Sequence, residues 1–431
     1  MSKLLFRLKQ FLVSKIGKES FIAMGGMALE YHNIFLFGYL VAAITPHFFQ
    51  KTSSLVTLGS YLVSFVMGPL GAIICGHIGD TLGRRKILIW ALAFVSVSSF
   101  FISILPTYDQ IGVLASVFFV MLRCIQTLGF GGDAVGLVTF ILEEAPASHR
   151  GFFGGLMSMG GAFGVFIASL EISLLDPLGD PFAVWKWRSP LSLGIIGALI
   201  SIYFFRIMEE SPVFQHYDAK KIKMRFPLIE LLKNKTGSLI NSIGIFALAP
   251  IITLIIFSFI PYLGFTALSL SSRYIMWINT FSLAIFMVSA PFFGALSDRK
   301  RVGRKPILII ISLTFLILGF PLFYFFEYHS AFTYACIQIF FSWVSSAYYG
   351  IAMTTSIEHL PTHLRYTGVS LSFTLSYAVF GGVVGLRIVK VLIEEIKIDI
   401  APSMYLLFGA FIVLLSSIVL KEEARHSLEK V

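Results

Sequence analysis

"GHIGDTLGRRKIL" (Gly76–Leu88) sets one acid and three bases in a turn between two long apolar stretches. A related stretch, "GALSDRKRVGRKPIL" (Gly294–Leu308), returns later, with Asp298 standing 218 residues after Asp80. Of the 431 residues, 57% are hydrophobic and 13% charged, about half the charged share of a soluble domain. Charge this scarce collects where a chain leaves an apolar phase, so both turns read as loops between membrane-spanning helices.

A spanning helix needs about 20 mainly apolar residues. Such stretches fall near 24–47, 55–78, 87–105, 111–142, 152–175, 189–208, 238–262, 272–296, 306–326, 331–355, 366–389 and 402–420. The fourth is long enough to tilt or to run past the bilayer. Internal Gly and Pro do not argue against helix in a membrane. With the N-terminus inside, twenty-four of the 33 Lys and Arg fall on the inner side, so both termini are expected in the cytoplasm.

A second motif pair fixes the organisation. "EEAPASHRG" (Glu143–Gly151) and "EHLPTHLRY" (Glu358–Tyr366) share identical Glu, Pro and Arg offsets and lie 215 residues apart. Two motif types in the same order at nearly one period mark a duplicated six-helix unit. The expected fold is an all-α membrane protein, with twelve transmembrane helices in two pseudo-symmetric six-helix bundles. Expected boundaries are an inner-surface basic tail (1–20), a first bundle (21–208), a cytoplasmic linker (209–237), a second bundle (238–420) and a short tail (421–431).

The repeated charges read as cytoplasmic latches. Asp80 can cap a neighbouring helix N-terminus or pair with an arginine. Arg84 can reach Glu143, and Arg150 can join them; Asp298, Arg304, Glu358 and Arg365 form the second copy. The alternative reading is a positive-inside turn that only orients the chain.

Several function classes fall away. The net charge of +10 sits between spans and forms no basic domain, so no nucleic-acid partner is expected. Cys75, Cys124 and Cys336 lie in apolar stretches without metal-ligand spacing. His359 and His363 alone have ligand-like spacing, and neither H-E-x-x-H nor an ATP-binding P-loop occurs. No metal, cofactor or enzymatic activity is expected, and the tail after 420 is too short for a signalling domain.

At this point the chain resembles a major facilitator superfamily carrier, and more closely the metabolite:proton symporter family, whose members carry proline and betaine, α-ketoglutarate, citrate or shikimate. The stretches that carry the resemblance are "GMALEYHNIFLFG" (Gly26–Gly38), "RCIQTLGFGGD" (Arg123–Asp133), "WKWRSP" (Trp185–Pro190), "MEESPVF" (Met208–Phe214) and "LPTHLRYTG" (Leu360–Gly368). The family's acid three residues after Glu30 is Asn33 here, which cannot carry a proton, and its neighbour is His32 where the family has an aromatic residue.

An ionisable group inside a span costs at least about 2.5 kcal/mol and is a functional hypothesis by default. Asp133 replaces the family's Glu and is positioned to take up and release a proton. Arg123 lies ten residues earlier, about 15 Å along an ideal helix, so it needs Glu30 or an anionic substrate as counter-charge. Glu30, His32, Asn33, Arg123, Gln126, Asp133 and Ser158 are the candidate substrate and proton residues. Glu171 and Arg387, near outer span ends, either line the outer mouth or sit at the interface. Gly-rich runs at 154–164 and 381–385 allow helices to approach and slide.

The expected function is secondary active transport by rocking of two bundles, with a proton accompanying a small polar metabolite inward. Arg123 favours a di- or tricarboxylate. A zwitterion (betaine, proline or another amino acid), a polycarboxylate siderophore and drug export are the alternatives. The expected setting is a bacterial inner membrane, as a monomer.

Overall fold

Large apolar side chains point outward along the long helices, as they do in a protein whose solvent is lipid. Val66, Trp90, Val117, Val288, Ile317 and Phe332 are exposed, whereas Ser99, Thr139, Asn279, Gln338 and Ser345 are buried. Without a hydrophobic drive between helices, small and hydrogen-bonding residues make the inner contacts.

The computed structural model describes residues 14–49, 54–175, 183–207, 209–211, 213–215, 226–266, 268–327, 330–381, 385, 401–425 and 428. The first half contains α1 (Lys15–Phe48), α2 (Ser54–Leu82), α3 (Arg84–Ile104), α4 (Val113–Glu144), α5 (Arg150–Leu175), α6 (Ala183–Ser192) and α7 (Gly194–Ile207). A short connecting helix, α8 (Pro227–Asn234), precedes the second half. That half contains α9 (Thr236–Phe246), α10 (Leu248–Leu254), α11 (Ile260–Thr266), α12 (Ser272–Ser297), α13 (Arg304–Glu327), α14 (Ala331–His359), α15 (Arg365–Ser376) and α16 (Ala401–Val419).

Among the described residues, seven helices are long and apolar enough to cross a membrane. The expected first and tenth spans correspond to α1 and α14, equally long but more polar: α1 carries Glu30, His32 and Asn33, and α14 a run of Ser and Thr. The expected sixth span is two helices meeting at Leu193, just after Pro190. The seventh is broken at Ala247 and again by a π turn, Ile255–Phe259. The eleventh passes into a second π turn, Tyr377–Gly381. Arg387, most of the second Gly-rich run and the basic tail before residue 14 lie outside the described residues.

Two seams join the halves, α5 against α12 and α2 against α15. Each needs glycine. A Cβ on Gly151 or on Gly294 would collide with the other's carbonyl oxygen. At the other seam a Cβ on Gly76, the position equivalent to Gly294, would lie 2.6 Å from Thr367 Cα.

Candidate functional site

The charge-rich end of the molecule is closed by two matching clusters. In the first, the Asp80 carboxylate accepts the backbone N–H groups of Tyr366 (3.2 Å) and Thr367 (2.9 Å) at the start of α15. In the second, Asp298 accepts those of Gly151 (2.9 Å) and Phe152 (2.8 Å) at the start of α5. Each aspartate belongs to one half and caps a helix of the other. The orphan N–H groups and positive dipole end of that helix supply the attraction.

Arginines tie the caps together. Arg84, fully buried, lies 3.2 Å from Asp80 and 3.3 Å from Glu143. Arg304 lies 3.0 Å from both Asp298 and Glu358. The turns before them need left-handed backbone, met by Gly83 (φ 109°) and Gly303 (φ 76°). One expectation is corrected. Arg365, expected in the second copy, joins Arg84 and Glu143 in the first, at 2.9 Å from Glu143. Arg150 stands in the field of Glu358 and Asp298. The arginine of the second Glu–Pro–Arg motif thus crosses to the first copy's glutamate, while Arg150 lies under the electrostatic influence of Glu358 in the second copy.

No local pattern singles out the residues that finish the clusters. Glu210 accepts the backbone N–H of Arg84 (2.9 Å), and its counterpart Glu422 accepts that of Lys305 (2.9 Å). Ser211 donates to Glu143 (2.6 Å). The carbonyl of Leu428 accepts from Arg365 (3.0 Å) and Thr362 (2.7 Å), and Arg425 donates to the Asp298 carbonyl (2.7 Å). "MEESPVF" carried Glu210 and Ser211 as a resemblance but not as a partner for Arg84. Close by, Lys15 hydrogen-bonds Glu209 at 2.6 Å, which raises the ammonium and lowers the carboxyl. Burial holds His363 below the usual imidazole range despite Glu230 at 3.4 Å.

Deeper in the first half, Glu30 (α1) and Asp133 (α4) are fully buried and interact electrostatically. Among the described residues none of their four carboxyl oxygens has a hydrogen-bond partner, and the same holds for the Asn33 side-chain amide. Two buried carboxyls without partners carry a heavy desolvation cost if both are charged. The arrangement suits exchange of a proton.

Arg123 does not pair with Glu30, contrary to one of the two expectations for it. Its guanidinium hydrogen-bonds Gln126, which donates in turn to Ser99, and lies 3.6 Å from the centre of the Phe37 ring. Phe37 is two helical turns beyond Glu30, and at that level the ring face takes the cation. His32 meets Glu171 at 2.9 Å, an α1–α5 contact between residues 139 positions apart.

Between the halves lies a cavity of about 50 Å³. Among the described residues that line it, Ser158 is the one expected site residue. Its walls include Tyr31 and Phe35 from α1, Phe286 from α12, Tyr349 from α14, and Phe257 and Tyr377 from the two π turns. Thr253 adds a hydroxyl 2.9 Å from that of Tyr349 and 3.3 Å from that of Tyr377. No charged side chain stands among the described residues that line it. Sequence reading passed over these aromatics because 44 Phe and 16 Tyr offered no contrast.

A multi-pass helical bundle with a cavity between two halves, both seams locked at one end, defines a membrane carrier. A model of the Major Facilitator Superfamily matches residues 21–386, and the chain belongs to that superfamily. It is a secondary transporter, not an enzyme. Among curated proteins it is 25% identical to the Proline/betaine transporter of Escherichia coli (strain K12), covering 96% of this chain and 85% of the relative. It is 26% identical to the Glycine betaine/proline/ectoine/pipecolic acid transporter OusA of Dickeya dadantii (strain 3937), covering 94% and 83%. Among solved structures, the proton:xylose symporter XylE bound to 6-bromo-6-deoxy-D-glucose superposes with a TM-score of 0.78 at 17% identity, covering 96% of this chain and 98% of that one.

Proposed function

We propose that this carrier imports a small zwitterion bearing an ammonium group, of the proline and betaine kind, together with a proton, across a bacterial inner membrane. The observation that carries this reading is the aromatic cavity without charged lining. A cation over a desolvated aromatic face gains about 2 kcal/mol, and the hydroxyls of Ser158 and Tyr377 are donors for the zwitterion's carboxylate, those of Thr253 and Tyr349 being given to the Ala249 carbonyl. A di- or tricarboxylate needs more than one cationic partner, whereas Arg123 is held by Gln126 and Phe37 away from the cavity lining. The curated relatives' substrates agree with a zwitterion.

The charge-rich end faces the cytoplasm in this reading, so the latches shut the carrier to the inside. Glu30 and Asp133 take the proton. Loading substrate and proton releases the latches, the halves rock, and the cavity opens inward.

Uptake of radiolabelled proline, glycine betaine and citrate into proteoliposomes tests this. An inward proton gradient is expected to drive accumulation of a zwitterion and not of citrate. Accumulation of citrate alone, or uptake that follows a sodium gradient instead, sinks the reading. Tyr349→Ala is expected to raise the betaine KM about tenfold, a loss of about 1.4 kcal/mol, within the range of one cation–π contact; Tyr349→Phe, which keeps the ring, is expected to raise it less.

A further inference from the structure

Tyr366 follows Arg365 at the start of α15, in the second half, but its ring is fully buried against helices of the first. It occupies a slot walled by glycine. A Cβ on Gly79 (α2) would lie 2.9 Å from the ring, and a Cβ on Gly136 (α4) would collide with the hydroxyl. The hydroxyl donates to the Gly132 carbonyl at 2.8 Å, one residue from Asp133 and its unpartnered carboxyl. At its other end, the backbone N–H of Tyr366 is held by Asp80, which pairs with Arg84. One residue therefore spans the latch and the helical turn that carries Asp133, and it leaves that turn only when the halves separate.

We propose that Tyr366 is the positioning residue through which the charge on Asp133 controls the inner latch. When Asp133 is neutral, the hydroxyl rests on the Gly132 carbonyl, an ordinary hydrogen bond. When Asp133 gives up its proton, the hydroxyl turns to the adjacent carboxylate, a charge-assisted bond roughly twice as strong. The unprotonated carrier is then held shut toward the cytoplasm, and protonation loosens the hold. This ordering prevents substrate from passing inward without its proton. The titratable and charged groups facing the ring are Cys75 and Asp80 on α2, Arg84 at the start of α3, Asp133 on α4 and Glu30 on α1. The inference rests on the reading of Asp133 as the proton carrier.

Cys75 offers a built-in reporter. Its thiol is buried against Gly132, where a Cβ would collide with it, so it borders the slot. The experiment uses the full chain in proteoliposomes without substrate, with Cys124 and Cys336 replaced by serine. The rate of Cys75 alkylation by a membrane-permeant maleimide is measured from pH 6 to pH 8.5, each value divided by that of the denatured chain. The corrected rate is expected to fall about five- to tenfold as pH rises, as a neutral hydrogen bond gives way to a charge-assisted one. Tyr366→Phe is expected to keep the ring in place but abolish the pH dependence, with labelling fast throughout. Asp133→Asn is expected to do the same from the other side of the bond. A Tyr366→Phe protein whose corrected labelling still follows pH like the unmodified chain overturns the proposal. Proton-driven uptake by the unmodified chain is read separately. Should that uptake ignore the pH gradient while Tyr366→Phe still abolishes pH-dependent labelling, the transport reading falls and the tyrosine switch stands.

Discussion

Asp133→Asn is expected to cut uphill accumulation to the level of simple equilibration while leaving exchange of substrate across the membrane intact. One proton moving down a gradient of one pH unit releases about 1.4 kcal/mol, enough for about tenfold accumulation of a substrate carried with it. An amide keeps the volume and polarity of the site but cannot cycle a proton, so the accumulation ratio should fall from about ten to about one. Glu30→Gln removes the other member of the buried pair and should lower the ratio in the same direction. Counterflow measured alongside separates loss of coupling from loss of the protein. An Asp133→Asn carrier that still concentrates substrate removes this residue from the coupling.

The second large effect belongs to the latch. Arg365→Ala is expected to trap the carrier open to the charge-rich side. Arg365 contacts Glu143 at 2.9 Å and donates to the carbonyls of Ile357, Leu360 and Leu428. Removing Arg365 leaves Glu143 with Arg84 at 3.3 Å and the Ser211 hydroxyl at 2.6 Å, so the cost is that of one hydrogen bond to a charged group, about 1.5–3 kcal/mol, and not that of a stranded charge. That penalty falls on the closed state alone, since opening returns Glu143 to water. A shift of that size moves the closed–open equilibrium by a factor of roughly 10 to 10². The apparent affinity for external substrate falls with the closed fraction. Arg150→Ala should act in the same direction through Glu358, and Glu143→Ala should add less to Arg365→Ala than it costs alone, because the two residues share one contact. Unchanged external affinity in a well-expressed Arg365→Ala protein argues that the latch does not set the equilibrium.

The charges were legible in the sequence because they are expensive. In a chain this apolar, Asp80, Arg84, Asp298 and Arg304 stand out singly, and their repetition exposed the duplicated half. The crossing of Arg365 to Glu143 was not legible. A repeat tells which positions are equivalent, and only packing tells which copy faces which. Arg123 was visible for the same reason as Asp133, but the ring that receives it, Phe37, is one of 44. The His32–Glu171 contact joins residues too far apart in sequence for any local pattern to announce. The cavity was hidden most completely, since an aromatic that faces cargo and one that faces lipid are the same letter.

The two wide turns flanking the cavity have a consequence for how such a chain can diversify. Both occur in the second half, where they present Phe257 and Tyr377, while α1 and α4, which bear Glu30 and Asp133, run unbroken. A loosened helical turn tolerates an added or lost residue with little disturbance to its neighbours. On the proposed reading, recognition draws on a pliable wall as well as on Tyr31 and Phe35 of α1, while energy transduction stays on the stiff one. A lineage can retune what it accepts by altering one wall while the machinery that powers uptake is inherited unchanged.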